Sequence, residues 1–345
     1  MNTIRVAVFG VGGWARQVLL PALRADPDVE VVAGVDPVTD NAAITPTYRT
    51  LDELFAADDN LDLLVIAAPD HLHVDAARAA LERGIAVYCE KPLGNSAPAA
   101  EELAALAETT GVPATVGYSF RYGPAVQAMR ADLADGTLGD VWLIELYEQN
   151  AQFHPLLGKP MNWKGDAALV AAGALLEYGS HVLDLCQWLV GPVASVSSNL
   201  VRVLPDAQVD DLATLQLRFA NGANGTLLCS WVLTGGYPGI TIRLHTSTGL
   251  AEVRLIDLID GAQQYRRWHP DGTPLPVAEL PTLADGPGAY ARLHVDDLLA
   301  TMRAGGASAS STLPTLRHAA LTHRVLEAAT AATAEWQQVR ETQAG

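Results

Sequence analysis

Disulfides are the first thing this chain does without. Its three cysteines, Cys89, Cys186 and Cys229, are odd in number and far apart, so they build neither a disulfide framework nor a metal-finger spacing. Basic residues are scarce too: 22 lysines and arginines stand against 39 acids, giving a formal charge of −17, and they are scattered rather than clustered. That pattern excludes nucleic acid and an anionic membrane surface as partners. No apolar run approaches the ~20 residues needed to span a bilayer. The first expected strand begins at Ile4, which leaves no room for a signal peptide, so a cytoplasmic, reducing compartment is expected. Internal repeats are also missing, and Asn224-Gly225-Thr226, although it satisfies the glycosylation sequon, reads as a turn.

What is present is an apolar strand running into glycines. Val6 to Phe9 lead straight into Gly10-x-Gly12-Gly13-Trp14-Ala15, a helix is expected from Ala15 to Arg24, and a second strand, Val29 to Val35, ends on Asp36. Gly10 permits the tight strand-to-helix turn, and Gly12 lets the backbone approach a pyrophosphate. Ala15 is small enough for helix-on-strand packing, and the helix N-terminus offers free N–H groups to phosphates. Asp36 is placed to accept hydrogen bonds from the adenosine ribose. A carboxylate there suits a free 2′-hydroxyl and repels a 2′-phosphate. Pro37, Val38 and Thr39 follow where an NADP pocket supplies Ser or Arg, so NAD is the expected cofactor.

Strands and helices then alternate. Helices are expected over Leu51–Ala57, His73–Arg83 and, with Ser96 as N-cap, Ser96–Thr109; strands near Tyr48 and over Leu61–Ala67, Ile85–Cys89 and Ala114–Tyr118. The pattern predicts an α/β fold opening with a Rossmann-type, doubly wound parallel sheet. Its strand tips carry Gly10, Asp36, Pro69-Asp70, Glu90-Lys91 and Tyr118-Ser119 into one crevice. The division expected is a dinucleotide-binding domain over 1–121 and an α+β domain over 122–345 with a large, mostly antiparallel open sheet. In that second part a strand is expected at Val141–Glu148, a polar loop at Asn150–Gly165 and one helix at Gly173–Val190. A hairpin turning on Asn221-Gly222 follows, then three more strands, a long loop over Pro270–Gly288, and helices at Ala289–Arg303 and Pro314–Trp336.

Four segments resemble the Gfo/Idh/MocA oxidoreductase family across nearly the whole chain. They are the glycine fingerprint with Asp36; Ala68-Pro69-Asp70-His71-Leu72-His73, with Asp70 where the family usually has Asn; Glu90-Lys91-Pro92; and the run from Gly173 through Glu177 and His181 to Asp184. In the last, Ala171 and Ala172 replace two glycines and Glu177 replaces the usual Asp. The resemblance implies NAD(P)-dependent hydride transfer to or from a secondary alcohol of a sugar, inositol or related polyol. It also implies a homodimer or homotetramer.

The residues suit that chemistry. Hydride leaves a carbinol carbon only if its hydroxyl proton leaves as well. A histidine, with its ordinary pKa near neutrality, suits the base, so His181 is expected to take that proton. Lys91 is expected to hold the same oxygen and, as a neighbouring cation, to depress the base's pKa. Glu177 and Asp184 lie one turn either side of His181; Glu177 is expected to bind a substrate hydroxyl or orient the histidine, and Asp184 to pack. Pro69, Asp70, His73 and Glu90 are assigned with the glycines and Trp14 to the cofactor. Arg121, Asn150, Trp163-Lys164 and Tyr237 are candidate substrate contacts, with a domain cross-link as the other reading of Arg121. His71 with His73, and His181 with Asp184, lack a third ligand at metal spacing, so no metal is expected. Two alternatives stay open: an NAD-dependent glycosidase or lyase that oxidises a sugar transiently, and a non-catalytic NAD-binding regulator. Leu215, Leu217, Phe219, Leu228 and Trp231 make the second sheet too apolar to leave both faces wet, which predicts face-to-face pairing of chains.

Overall fold

A computed structural model describes residues 3–37, 43–151, 153–154, 157–158, 161, 163–167, 172–233, 239–256, 262–281, 283, 288–306 and 312–331. Six parallel strands make the first sheet: β1 (Ile4–Phe9), β2 (Val29–Val35), β3 (Thr47–Tyr48), β4 (Leu63–Ile66), β5 (Ala86–Cys89) and β6 (Ala114–Val116). Their order is β3-β2-β1-β4-β5-β6. The order reverses between β1 and β4, the point where a doubly wound sheet opens a crevice beyond its strand tips. β4 and β5 are buried at every residue, as strands covered on both faces must be.

The connecting helices are α1 (Leu20–Arg24), entered through a π-helical turn over Ala15–Leu19, then α2 (Leu51–Ala57), α3 (His73–Leu81) and α4 (Ala97–Thr110). Ser96 caps α4 as expected, its Oγ accepting from Ala99 N at 3.4 Å.

The second sheet has eight strands: β7 (Val141–Gln149), β8 (Val193–Val201), β9 (Leu212–Phe219), β10 (Asn224–Ser230), β11 (Gly239–Thr246), β12 (Gly249–Leu255), β13 (Gln263–Trp268) and β14 (Pro274–Leu275). They run in the order β14-β13-β12-β11-β7-β10-β9-β8. Every pairing is antiparallel except β7 with β10. One face is covered by α5 (Pro124–Ala134), which packs on β12 and β13, by α6 (Ser180–Val190) on β7, and by the C-terminal half of α8 (Leu316–Ala331) on β8.

Three expectations need correction. Residues 124–134 form a helix that the sequence reading did not assign, so the second half has more covering helix than was counted. The terminal helices do not simply roof the second sheet. α7 (Ala289–Arg303) buries Ala291, Val295 and Leu298 in the first sheet's core. α8 gives Leu316 and Ala319 to that same sheet, and Val325 and Leu326 to the second. The first sheet thus ends with β6 at Val116 and the second begins with β7 at Val141, while the last helices return to complete the first. Finally, of the five residues that suggested an apolar second face, Leu215, Leu217, Phe219 and Trp231 are buried within the chain; Leu228 alone is half-exposed. Among the described residues no helix is long and apolar enough to cross a membrane.

Candidate active site

The glycine loop at the tip of β1 is shaped from both sides. Gly10 has φ +87°, and a Cβ there would lie 2.5 Å from Ala68 N, so neither its backbone nor its neighbour at the tip of β4 admits a side chain. A Cβ on Gly12 or Gly13 would meet nothing within 4 Å. One side of the loop packs against the sheet, and the other is an open cradle ahead of a helix N-terminus, which fits a pyrophosphate. Ala15 is buried against the sheet as expected. Asp36, at the tip of β2, accepts from Val11 N at 2.9 Å and so holds the loop in addition to standing where a ribose would come. Trp14 is half-exposed and donates its indole N–H to Glu90 Oε1 at 2.7 Å, reaching from the loop to the tip of β5.

Glu90 is a half-buried support for its neighbour. Its Oε1 also accepts from Tyr88 Oη (3.3 Å), its Oε2 from Lys91 N (3.3 Å), and a Cβ on Gly117 would come within 2.7 Å of that same Oε2. Burial raises its pKa, against the opposing pull of Trp14 and Lys91. His73 joins two strand tips: Nδ1 lies 2.7 Å from Pro92 O and Nε2 2.8 Å from Ala68 O. Both partners only accept, so the two bonds form together only on a ring carrying an N–H at each nitrogen. Asp70 and His73 line the pocket, with burial raising the pKa of Asp70, while Pro69 opens the short turn that presents them.

The second sheet brings the rest. Asp210 anchors the start of the functional helix: Oδ1 takes Gly173 N and Oδ2 takes Leu175 N, each at 2.8 Å, and its backbone oxygen takes Ala174 N at 2.9 Å. A Cβ on Gly173 would overlap that oxygen at 1.8 Å, which fixes glycine there. Leu175–Gly179 then wind as a π-helix into α6, a distortion that often marks functional sites. From this segment Glu177 and His181 enter a cavity of about 500 Å³, which Lys91 enters from β5.

Lys91 Nζ donates to the backbone oxygen of Glu177 at 3.0 Å. His181 is 9% exposed, packs its ring on Phe120 with centroids 4.4 Å apart, and leaves Nδ1 without a hydrogen-bond partner. Burial, and then the Lys91 charge, push its pKa well below the ordinary histidine value, so the ring is neutral. The Glu177 carboxylate pairs through Oε1 with Lys164 rather than with His181, and its Oε2 is buried without a partner.

Not every sequence candidate reaches the cavity. Arg121 is a correction: its guanidinium is buried and grips Asp184 with two bonds, Nε at 2.7 Å and Nη2 at 2.5 Å, which leaves it as the cross-link and not a substrate contact. Asp184 is committed to that pair. Asn150 does not line the cavity either; its amide donates to Tyr178 Oη. Trp163 lies in a short 3₁₀ turn, and its side chain, like all of Tyr237, falls outside the described residues. Lys164 does line the cavity. Phe120, beside the candidate Arg121, also does, as do Glu148 and Trp231, which no motif announced, since each is one residue at an ordinary strand end. Among the described residues no group of three or more metal-ligating side chains converges.

A nucleotide loop on one sheet, with a lysine from that sheet and a neutral histidine from the helix packed on the other lining one cavity, is the division of labour of a nicotinamide-dependent oxidoreductase. The chain belongs to the Gfo/Idh/MocA family: residues 4–118 match the oxidoreductase family with an NAD-binding Rossmann fold, and residues 126–252 match the Gfo/Idh/MocA C-terminal domain. It is 31% identical over 279 residues to the oxidoreductase subunit attributed to UDP-kanosamine synthase in Amycolatopsis mediterranei, covering 73% of this chain and 75% of that one. To the levoglucosan dehydrogenase of Pseudarthrobacter phenanthrenivorans it is 26% identical over 216 residues, spanning 56% of this chain and 55% of the relative. A solved levoglucosan dehydrogenase in complex with NADH and levoglucosan superposes with a TM-score of 0.79 at 21% identity, covering 96% and 97% of the two chains.

Proposed function

We propose that this NAD-binding oxidoreductase oxidises a secondary alcohol of a sugar, inositol or related polyol, or reduces the matching ketone, with Lys91 and His181 managing the hydroxyl proton. The observation that carries the reading is their meeting in one cavity, Lys91 from the tip of β5 and His181 from α6. Gly10, Gly12, Gly13 and Asp36 would hold the dinucleotide, whose nicotinamide accepts or returns the hydride.

His181 is neutral, so it can take the proton of the carbinol hydroxyl. Lys91 retains N–H groups beyond the one given to Glu177, and one of them can hold the carbinol oxygen as negative charge develops there. The same charge discourages protonation of His181 before substrate arrives. Lys164 fixes Glu177 in the wall, where it can receive a further hydroxyl.

Asp36 favours NAD over NADP on charge. On the face of the second sheet opposite α5, α6 and α8, Arg243 pairs with Glu252 at 2.7 Å and His245 bonds Glu145 at 3.1 Å, so these side chains already have partners, which lowers the cost of burying them against a second copy. The test is a panel of sugars, inositols and anhydro-sugars offered with NAD and with NADP. The expected result is net accumulation of NADH with at least one polyol and weaker turnover with NADP. Product release without net NADH would favour transient oxidation, and cofactor binding without any turnover would favour a regulator.

A further inference from the structure

Four residues that line the cavity each carry a buried polar atom without a partner: His181 Nδ1, Glu177 Oε2, Glu148 Oε2 and Trp231 Nε1. The first two belong to the proton-handling helix. The other two come from the sheet beneath it, and the fold gains nothing from their polarity. Glu148 is 5% exposed and follows Ile144 and Leu146 on the buried side of β7. Its register partners are Cys229 and Ile240, both buried, so an apolar side chain would extend that core without a break. Trp231 directly follows β10, whose last pairs with β7 are Cys229–Glu148 and Ser230–Gln149; the carboxyl and the indole therefore come from neighbouring strands at one level of the sheet. A buried polar atom left unpaired is costly, and two of them on side chains lining one cavity mark where a ligand can complete the bonding.

We propose that Glu148 and Trp231 form a hydroxyl-recognising subsite, which binds the hydroxyls neighbouring the carbon that Lys91 and His181 act on and restricts the substrate to neutral vicinal diols. The proposal rests on the polyol reading above. Burial pushes the Glu148 carboxyl well above the usual carboxylate range, against the nearby Lys91 charge and helped by Glu177, which favours its neutral form. A neutral carboxyl both donates and accepts, as a hydroxyl does, whereas an ammonium group would demand the charged form. Trp231 supplies only a donor and so takes a hydroxyl oxygen.

The test compares wild type, Glu148→Leu, Glu148→Gln and Trp231→Phe with the best polyol from the panel and with its analogue lacking the hydroxyl beside the oxidised carbon. Thermal midpoints and NADH affinity are read for each protein. Glu148→Leu should raise KM for the parent polyol on the order of 100-fold and lose its preference over the deoxy analogue, with NADH affinity unchanged. Glu148→Gln, which still donates and accepts, should lose no more than about tenfold, and Trp231→Phe, which keeps the ring and deletes the N–H, about tenfold. Wild-type KM and discrimination in Glu148→Leu and Trp231→Phe would overturn the subsite while leaving the polyol reading intact. A Glu148→Gln loss as large as that of Glu148→Leu, with an amino-substituted polyol bound more tightly than the neutral one by wild type, would overturn it in favour of a carboxylate for an ammonium. No turnover of any polyol by wild type would overturn the parent reading and this proposal together.

Discussion

Lys91 is held from behind by Glu90 and from the side by the carbonyl of Glu177, so its position does not depend on substrate. A pre-placed donor costs no reorganisation as charge develops on the oxygen. Replacing it with methionine keeps the stem's bulk and deletes the charge. Lys91→Met should cut turnover by several orders of magnitude while cofactor affinity stays close to wild type; His181→Asn should cost roughly 10²–10⁴-fold in turnover. Steady-state kinetics alongside an NADH titration checks both, and near-normal turnover in either variant would remove that residue from proton transfer. The pH profile carries a sign as well. The active form of His181 is the neutral one, and its pKa lies well below the ordinary value, so kcat/KM for oxidation should not fall on an acid limb centred near pH 6.5 but should persist well below it.

At the level of elements, the legible parts were those whose signals are local. Ser96 as a cap, the Asn221-Gly222 turn and the alternation along β9 depend on residues a few positions apart, and the structure has them where the pattern predicted. Helix 124–134 carries one start signal, Gly123-Pro124, and no side-chain cap, which makes it less legible than the strand that follows it. The π turns at Ala15–Leu19 and Leu175–Gly179 have no code in helical periodicity. The second is set by Asp210, which sits 35 or more residues away and gains meaning only once the chain has folded. For the same reason the motif residues Lys91, Glu177 and His181 could be named from sequence and Glu148 and Trp231 could not.

Helix α8 also predicts an acid sensitivity. Burial lowers the pKa of His323 to about 4 and of His318 to about 4, and that of His294, on α7, to about 3. In each the folded pKa lies below the unfolded one, so the unfolded chain binds the proton first. The stability contributed by the neutral ring is complete above about pH 6.5 and drains away as pH falls from there toward the folded pKa. For His323 alone that amounts to about 2 kcal/mol by pH 5. His323→Leu should therefore lose a few degrees less in Tm between pH 7 and pH 5 than wild type does. Thermal melts at the two pH values check this, and equal losses would show that the ring is solvated.

For the whole molecule, α5, α6 and α8 lie against one face of the eight-stranded sheet. On the other face Tyr147, flanked in register by Leu228 and Thr241, sits beside the paired side chains of Glu145, Arg243, His245 and Glu252. We expect two copies to pair these faces, and Leu228→Asp, which places an unmatched charge near the centre, to separate them. Sedimentation at micromolar concentration should give twice the 36.5 kDa chain mass, or four times if pairs associate, for wild type and the single mass for the variant. A wild-type monomer would mean that the polar face is simply solvated.

The Arg121–Asp184 grip bears on how such enzymes can be recombined. The guanidinium belongs to the segment that leaves the first sheet, the carboxylate to the helix that carries His181, and Arg121 Nη1 also reaches Thr312 O on the returning chain at 3.3 Å. A chimera that joins this nucleotide-binding half to a second half with no acid at position 184 inherits one member of the pair without its mate. The orphaned charge, fully enclosed, would cost about 3–5 kcal/mol and release the histidine-bearing helix from its reference point. Grafting a new specificity onto this scaffold therefore means moving position 121 and position 184 as one unit, even though they lie 63 residues apart and neither lines the cavity.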